Sequence, residues 1–286
     1  MSFIDNIQRR FKQGTIVEKL IYINIAILIL AYLFNTFNYL FESNNNLISN
    51  WLVLPANLND FLSKPWTIIT YGFVHFDFFH ILFNLIALFF IGNLFIEYFT
   101  QKQLLSFYIL GTLFGGIIFI LSYNYFPVFV KSTDRNLLLG ASAGVSAILI
   151  GIATYLPNYQ FKIPLIGFIK LWHIGLFWVL KDVIQIPMGN AGGHFAHLGG
   201  ALFGFLYVTQ ASNKKVDILS KLSTLFKSKD KPLKTVYKSK SKTNPIVKNS
   251  SVNQQKIDGI LDKISKSGYD TLTKTEKEFL FKQGKR

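Results

Sequence analysis

The stretch Leu139–Ile150 reads L-G-A-S-A-G-V-S-A-I-L-I and places Ser142 between small residues at the start of an apolar run. Two other apolar segments carry histidines: H-F-D-F-F-H-I-L-F-N at residues 75–84 and G-G-H-F-A-H-L-G-G at residues 192–200. Ionisable side chains are costly at membrane depth, so such residues indicate a functional site. A serine together with histidines indicates nucleophilic catalysis within a bilayer.

The composition is typical of a membrane protein. Apolar residues make up 50% of the 286 residues and charged residues only 16%, which is low for a soluble domain. There is no cysteine, so disulfides, thiolate nucleophiles and cysteine-bound zinc are excluded. The length allows one or two domains, and we expect the larger one to lie in a membrane.

Positive charge is concentrated towards the C-terminal end. Residues 213–286 carry 19 of the 30 Lys and Arg residues and 7 of the 15 Asp and Glu residues. A basic tail of this kind binds nucleic acid or lies beside anionic lipid on the cytoplasmic face of a membrane. Because apolar spans precede it, we favour the cytoplasmic interpretation and expect no nucleic-acid partner.

Six transmembrane helices are predicted when about 20 apolar residues are taken as one span. The N-terminal arm and the tail are both basic, so both termini are expected in the cytoplasm. The first span is too long for a removable signal peptide. The predicted spans are Leu20–Phe41, Phe78–Phe99, Leu104–Tyr125, Ala141–Leu156, Ile166–Ile184 and Phe195–Thr209.

This topology brings four polar residues to one level of the bilayer. Spans two, four and six all enter from the outer side, and His80, Asn84, Ser142 and His197 lie in their first two turns. At 1.5 Å per residue these side chains fall within about 10 Å of the same depth. The sequence therefore predicts one site near the outer membrane surface.

Ser142 has a rival and two simpler explanations. Serine at a helix N-terminus is often a cap, and small residues in membrane helices often serve close packing. Ser146 lies one turn deeper on the same face. We favour Ser142 because its small neighbours leave room for a substrate backbone, and the helix N-terminus offers N–H groups to a developing oxyanion.

His197 is expected to meet Ser142 through helix packing. Gly200 and Gly204 give the sixth span a small-residue face, against which the fourth span can lie closely. That contact would bring His197 within hydrogen-bond reach of Ser142, as a nucleophile and its base require. His194 precedes this face, and we interpret it as a loop residue.

His80 and Asn84 lie four residues apart, and both can donate hydrogen bonds to an oxyanion. The simpler alternative is a polar contact between helices. A metal site of His75, His80, His194 and His197 is disfavoured, because the H-E-x-x-H pattern is missing and no carboxylate except Asp77 is well placed. We predict neither metal nor cofactor. Lys181 and Asp182 are expected to pair or to reach the membrane surface, with no catalytic role.

Together these motifs resemble the rhomboid intramembrane serine proteases. Residues 75–84 are similar to the family's second-helix motif, residues 140–142 (G-A-S) to its G-x-S motif, and residues 196–204 to its sixth helix. The resemblance covers about residues 15–210 and implies an all-α bundle of six transmembrane helices. It also implies a protease of a bacterial inner membrane that cleaves single-span membrane proteins near the outer end of their transmembrane helix.

Residue by residue, the resemblance implies that Ser142 is the nucleophile and His197 its general base. It implies an oxyanion hole made of His80, Asn84 and the backbone N–H of Ser142. The family uses a Ser-His dyad without an acidic third member, and none is visible in this sequence. The resemblance further implies that no cofactor is required and that the substrate is a transmembrane protein in the lipid bilayer.

The sequence departs from the family pattern at three places. An aromatic residue often stacks on the histidine from one turn after the serine, but here that position is Ser146. The orientation of His197 is therefore left to another residue, for which Phe195 is a candidate. The other departures are Ala143 directly after the serine and Trp66-Thr67 where a Trp-Arg pair is common, and they remove no catalytic group.

Four segments are predicted along the chain: a cytoplasmic arm at 1–16, the membrane domain at 17–211, a flexible basic linker at 212–254 and a small helical hairpin at 255–286. In the hairpin, Gly268 is expected to end the first helix, and Thr273-x-x-Glu276 to cap the second. A hairpin of this size is too small to be stable alone, so we expect it to dock on an unknown cytoplasmic partner or on the membrane face.

Two other functions compete with that of a protease. A catalytically dead rhomboid-like protein would bind membrane helices without cleaving them, and the presence of both Ser142 and His197 speaks against it. A channel or transporter lined by the histidines would more often have internal repeats and broken helices, and the sequence contains no repeat.

Overall fold

The computed structural model of the protein describes residues 8–9, 11–43, 47–163, 167–212 and 248–283, most of which are helical. The chain divides into two compact units, Met1–Leu225 and Phe226–Arg286. The helices of the first unit are α1 (Ile16–Leu40), α2 (Leu47–Leu52), α3 (Leu58–Ser63), α4 (Thr67–Thr70), α5 (Phe78–Tyr98), α6 (Gln101–Tyr125), α7 (Pro127–Val130), α8 (Ser142–Tyr155), α9 (Leu171–Gln185) and α10 (Ala191–Ser212). Those of the second unit are α11 (Lys248–Ser267) and α12 (Lys274–Gln283).

Two short antiparallel strand pairs connect these helices. Strand β1 (Leu54–Pro55) pairs with β2 (Leu137–Leu138), which leads into the start of α8. Strands β3 (Gln160–Ile163) and β4 (Gly167–Lys170) form a hairpin between α8 and α9. The β1–β2 pair therefore fixes the position of the segment just before Ser142, the first residue of α8.

Three of the described helices, α1, α5 and α6, are long and apolar enough to cross a membrane. Helix α8 is also apolar, but its 14 residues fall short of the roughly 20 that a span needs. Large apolar side chains are exposed on α1 and α5, as at Leu33 (62%) and Phe90 (61%). Apolar surface of this extent fits contact with lipid, which needs no polar partner.

Helix α8 forms the centre of the first unit. It packs most extensively against α10 and α6, and less against α5 and α9. Every residue from Ala143 to Ala153 is buried. A helix that is apolar on all sides is stable only when other elements surround it, which explains why so short a helix can lie in the core.

Glycines on α10 allow this close packing. A Cβ atom added to Gly200 would overlap the carbonyl oxygen of Ala143, and one added to Gly204 would overlap that of Ala147. The two helix backbones are therefore in direct contact on this face, as in other membrane helix pairs with small residues at the interface. The contact begins one residue after Ser142.

The region predicted as the fifth span, Ile166–Ile184, is only partly helical. Helix α9 begins at Leu171, and Gly167–Lys170 before it form β4, where Gly167 has a φ of +99°. The sequence Gln160–Ile163 alternates polar and apolar residues, which favours a strand over a helix. A prediction from apolar content alone cannot separate strand β4 from the helix that follows it, because both contain apolar residues.

The second unit is a helical hairpin. Gly268, with a φ of +83°, ends α11, and its N–H donates to the carbonyl of Ile264 at 2.9 Å. At the start of α12 the N–H of Thr273 donates to Glu276 Oε2 at 2.8 Å, and the Glu276 N–H donates back to the Thr273 hydroxyl. Residues 248–254, predicted as linker, already belong to α11, whereas residues 213–247 of that linker lie outside the described residues.

The close contact at Gly200 predicts that Gly200→Ala destabilises the first unit. The added methyl group has no space against the Ala143 carbonyl, so the helices must separate, at a free-energy cost of about 1–3 kcal/mol. Denaturant unfolding in detergent measures this change. Gly259→Ala is the matched control, because a Cβ atom there meets no atom within 4 Å. An unchanged midpoint for Gly200→Ala would contradict the packing described.

The hairpin is expected to loosen in acid through Glu276. The Thr273 backbone N–H, followed by the Lys263 ammonium at 3.1 Å, holds the pKa of Glu276 below its ordinary value. A lowered carboxyl pKa contributes stability above the unfolded value of about 4.3, and this stability is lost as the pH falls through the folded pKa. We expect Glu276→Gln to lower the hydrogen-exchange protection of the Lys277 amide at pH 7. At a pH where Glu276 is protonated in the folded chain, the variant should match the wild type, after correction for intrinsic exchange. Equal protection at pH 7 would refute the coupling.

Candidate active site

A cavity of about 450 Å³ opens where α5, α8 and α10 begin. Its lining includes His80 and Asn84 from α5, Ser142 from α8 and His197 from α10. The structure thus brings together the four residues that the sequence predicts at one depth. They come from three helices, so only the packing of these helices creates the site.

Ser142 is the first residue of α8 and does not serve as its cap. The N-cap position is Ala141, which makes no side-chain capping bond. Within the described part of the chain the half-buried hydroxyl of Ser142 has no hydrogen-bond partner. The rival Ser146 is fully buried and accepts a hydrogen bond from Trp178 Nε1 at 2.9 Å. Ser142 therefore offers its hydroxyl to the cavity, and Ser146 does not line it.

The turn before Ser142 depends on Gly140. Its φ of +116° lies in the region that favours glycine, and its N–H donates to the carbonyl of Tyr71 at 3.0 Å. A Cβ atom on Gly140 would lie 2.7 Å from Cε1 and 2.8 Å from Nε2 of His80, and 3.8 Å from the Ser142 hydroxyl. The absence of a side chain therefore lets the His80 ring come close to Ser142.

The start of α5 is fixed by two residues of the same motif. The carboxylate of Asp77 accepts the N–H of His80 at 2.7 Å as an N-cap. His75 is fully buried, and its Nε2 accepts the N–H of Ala141 at 3.2 Å and lies 3.3 Å from Asn84 Nδ2. His75 thus links α5 to the turn before α8. The sequence motif contains this histidine, but spacing alone gave it no role.

Asp182 is a residue beside the candidate site whose contacts the sequence reasoning missed. Its Oδ1 lies 2.9 Å from His197 Nδ1, 2.8 Å from His194 Nδ1 and 3.1 Å from the Lys181 ammonium. The Asp182 side chain is 1% exposed. The expectation that no acidic residue accompanies His197 is therefore wrong, and Asp182 does more than pair with Lys181. Because α9 and α10 meet only in the tertiary structure, no local pattern revealed this contact.

Two further expectations around His197 are corrected. His194 belongs to α10 and is buried, so it is not a loop residue. Phe195 packs against Phe126, with 5.5 Å between the ring centroids, and does not orient His197. The aromatic ring beside His197 is instead that of Trp178 on α9, whose centroid lies 6.3 Å away.

Ser142 and His197 line the same cavity, but no hydrogen bond joins their side chains among the described residues. In free enzymes such bonds are often long, and they tighten only when substrate binds. His197 is 13% exposed through its side chain, so it remains open to the cavity while Asp182 holds its other side.

The three side chains of Asp182, His194 and His197 also form a set that could hold a metal ion, since their ligand atoms lie within 4.8 Å of one another. The same atoms are already joined by hydrogen bonds, and the Lys181 ammonium lies against the same carboxylate oxygen. A cation at this position would have to displace both. The arrangement therefore fits a hydrogen-bond network better than a metal site.

Comparison with known families identifies the first unit. The rhomboid domain matches residues 62–214, more than half of the chain. The chain belongs to the rhomboid family. Together with the apolar helices, this match makes the protein a multi-pass membrane protein. Residues 248–285 of this rhomboid match a family of unknown function, DUF6576.

Two curated relatives illustrate the range of the family. RHOMBOID-like protein 12, mitochondrial, of Arabidopsis thaliana is 31% identical over 179 residues, which are 59% of this chain and 51% of that protein. Rhomboid protease GlpG of Yersinia pseudotuberculosis serotype I (strain IP32953) is 25% identical over 169 residues, 56% of this chain and 52% of that protein. The chain thus spans about half the length of the curated relatives it matches. One of these relatives is mitochondrial by name and the other bacterial, so family membership alone does not specify the membrane.

The turn at Gly140 predicts a selective effect of Gly140→Ala. Gly189 is a matched control, because its φ of +122° gives similar strain, but a Cβ atom there meets no atom within 4 Å. Both variants are expected to lose about 1–2 kcal/mol of stability from the positive φ. Only Gly140→Ala should also displace the His80 ring. Unfolding midpoints and the labelling rate of Ser142 by a fluorophosphonate measure the two effects. Equal labelling of both variants would contradict this account of the turn.

Proposed function

We propose that this rhomboid is an intramembrane serine endopeptidase that cleaves single-span membrane proteins near the outer end of their helix. The observation that carries the proposal is the cavity in which the Ser142 hydroxyl, which has no hydrogen-bond partner among the described residues, lies with His197, His80 and Asn84. A nucleophile, a base and two hydrogen-bond donors are the groups that acyl transfer needs. Family membership supports the same reaction class.

In the proposed reaction His197 removes the hydroxyl proton as Ser142 Oγ attacks the carbonyl carbon of the scissile peptide bond. The tetrahedral intermediate collapses as His197 gives this proton to the leaving amine, and an ester to Ser142 remains. Water then attacks the ester with His197 again as the base, releasing the acid product and the free serine. No cofactor takes part in these steps.

The developing oxyanion needs preorganised donors, and the start of α8 supplies them. The first N–H groups of a helix have no intrahelical acceptor, so those at Ser142 are available. The His80 ring lies beside the same turn. The Asn84 amide already donates to the His80 carbonyl at 3.0 Å and contacts His75 at 3.3 Å. It can serve the oxyanion only by giving up one of these contacts, so His80 is the stronger of the two donors.

We place the cavity at the outer end of a bundle of six spans, with both termini in the cytoplasm, because the basic residues lie mainly in the terminal segments. Substrate would enter beside α9, whose Phe177 and Ile184 are 67% and 60% exposed and fit a lipid-facing surface.

We propose that the protein lies in a bacterial inner membrane. The support for this location is the resemblance and the bacterial relative. The hairpin of α11 and α12 is proposed to dock on a cytoplasmic partner through side chains such as Leu261, which is 52% exposed.

The proposal predicts how three alanine variants of the full chain behave. Ser142→Ala and His197→Ala are each expected to reduce cleavage of a model single-span substrate by at least about 10⁴-fold. Ser146→Ala loses only the hydrogen bond from Trp178, so its activity should stay within about tenfold of the wild type. Cleavage is measured with purified protein in proteoliposomes, by mass spectrometry of the products.

Ser146→Ala serves as the matched control for loss of a buried-helix hydroxyl. If Ser146→Ala is inactive and Ser142→Ala is active, the nucleophile is one turn deeper than proposed. If the wild type binds a panel of transmembrane substrates and cleaves none, the protein is a binding protein of rhomboid fold. Either result would overturn the proposed activity at Ser142.

A further inference from the structure

Two buried ionisable residues have no part in the reaction as described. Asp182 on α9 is 1% exposed through its side chain, and His194 on α10 is 11% exposed. Neither lines the cavity that holds Ser142. A buried carboxylate is unfavourable unless hydrogen bonds and charge compensate for its desolvation. The structure provides this compensation through His194, His197 and Lys181, all on the same oxygen, and one of these three is the proposed base.

The protons in this cluster can be assigned from its geometry. Oδ1 of Asp182 lies against three nitrogens, at 2.8, 2.9 and 3.1 Å. An ionised carboxylate only accepts hydrogen bonds, so both imidazoles must carry their proton on Nδ1. In the neutral ring of His197 this leaves Nε2 unprotonated. That nitrogen is the one able to accept the proton of Ser142.

We propose that Asp182 is a positioning residue for His197, with His194 as a second donor that holds the carboxylate in place. This proposal rests on the proposed Ser142–His197 chemistry. Asp182 fixes the reactive tautomer of His197 and stabilises the imidazolium formed when the serine proton is transferred. The chain would then use an acid, a base and a nucleophile where the rhomboid resemblance implies only a dyad.

Helix α9 replaces the contact that an aromatic residue at position 146 would make with His197. Trp178 and Asp182 lie one helical turn apart on α9, so they share the face that meets α10. Trp178 donates to the serine that replaces the aromatic residue, and Asp182 holds the imidazole by its Nδ1. One helix therefore contributes both contacts around the proposed base.

Two other interpretations make different predictions. If Asp182 only ties α9 to α10, its removal lowers stability, and activity falls only in proportion to the unfolded fraction. If Asp182, His194 and His197 hold a metal ion, the purified protein carries that metal, and a chelator changes its activity. The positioning role instead predicts a loss in the chemical step of a folded, metal-free protein.

The test compares Asp182→Asn, Asp182→Glu and Asp60→Asn in the purified full chain. Asp60 is exposed on α3 and serves as the matched control for loss of one carboxylate. Asp182→Asn keeps the shape but removes the charge and allows the wrong tautomer, so kcat should fall by about 10²–10⁴-fold, with KM within about threefold. Asp182→Glu restores a carboxylate and should recover at least about tenfold of the kcat lost. The unfolding midpoint of Asp182→Asn should fall, because the buried contacts to His194, His197 and Lys181 weaken, so kcat is compared at a temperature where every variant is folded.

Fluorophosphonate labelling of Ser142 gives a second readout that does not depend on substrate binding. It should slow in Asp182→Asn and, to a smaller degree, in His194→Gln, which loses one of the donors to the carboxylate.

An unchanged kcat in Asp182→Asn, with Ser142→Ala inactive, would refute the positioning role and leave the protease proposal intact. A loss of kcat that tracks the unfolding midpoint, with no recovery in Asp182→Glu, would refute it in favour of a structural tie. One bound metal per chain, measured by plasma mass spectrometry and lost in His194→Gln, would also refute it. Activity in Ser142→Ala would overturn the proposed function itself.

Discussion

The structure depends on the direct contact between the backbones of α8 and α10. Membrane helices gain little from hydrophobic burial against each other, because lipid is equally apolar, so close packing must stabilise their association. Gly200 and Gly204 make this packing possible, because a side chain at either position would overlap a carbonyl oxygen of α8. The same contact sets the separation of Ser142 and His197, so the stability of the bundle and the geometry of the candidate site have one origin.

Around this pair, the other elements fix individual groups. The motif at residues 75–84 supplies a cap for α5, the His75 link to the turn before α8, and two candidate oxyanion donors. Gly140 allows His80 to approach that turn, because its positive φ and missing side chain leave space for the ring. Helix α9 contributes Trp178 to the lining of the cavity, and its Asp182 contacts His197. The buried contacts of His75 and Asp182 pair polar groups that would be costly to leave unpaired in a low-dielectric interior.

Sequence reasoning succeeded where chemistry and spacing act within one helix. It located the polar residues of three helices, the glycine face of α10 and the caps of the C-terminal hairpin. It was less successful where the backbone changes its period, as at strand β4, which lies inside the predicted fifth span. Hydropathy averages over about 20 residues, so a short strand directly before an apolar helix is counted as part of the span.

By itself, the sequence determined the helical membrane character, the rhomboid motifs, and Ser142, His197, His80 and Asn84 as the residues of interest. These follow from composition and from spacings within single segments. Only the tertiary structure decided that Asp182 and His194 join His197, since 12 and 15 residues separate the aspartate from the two histidines along the chain. Contacts between two helices depend on their rotation and separation, and no pattern within either helix encodes these.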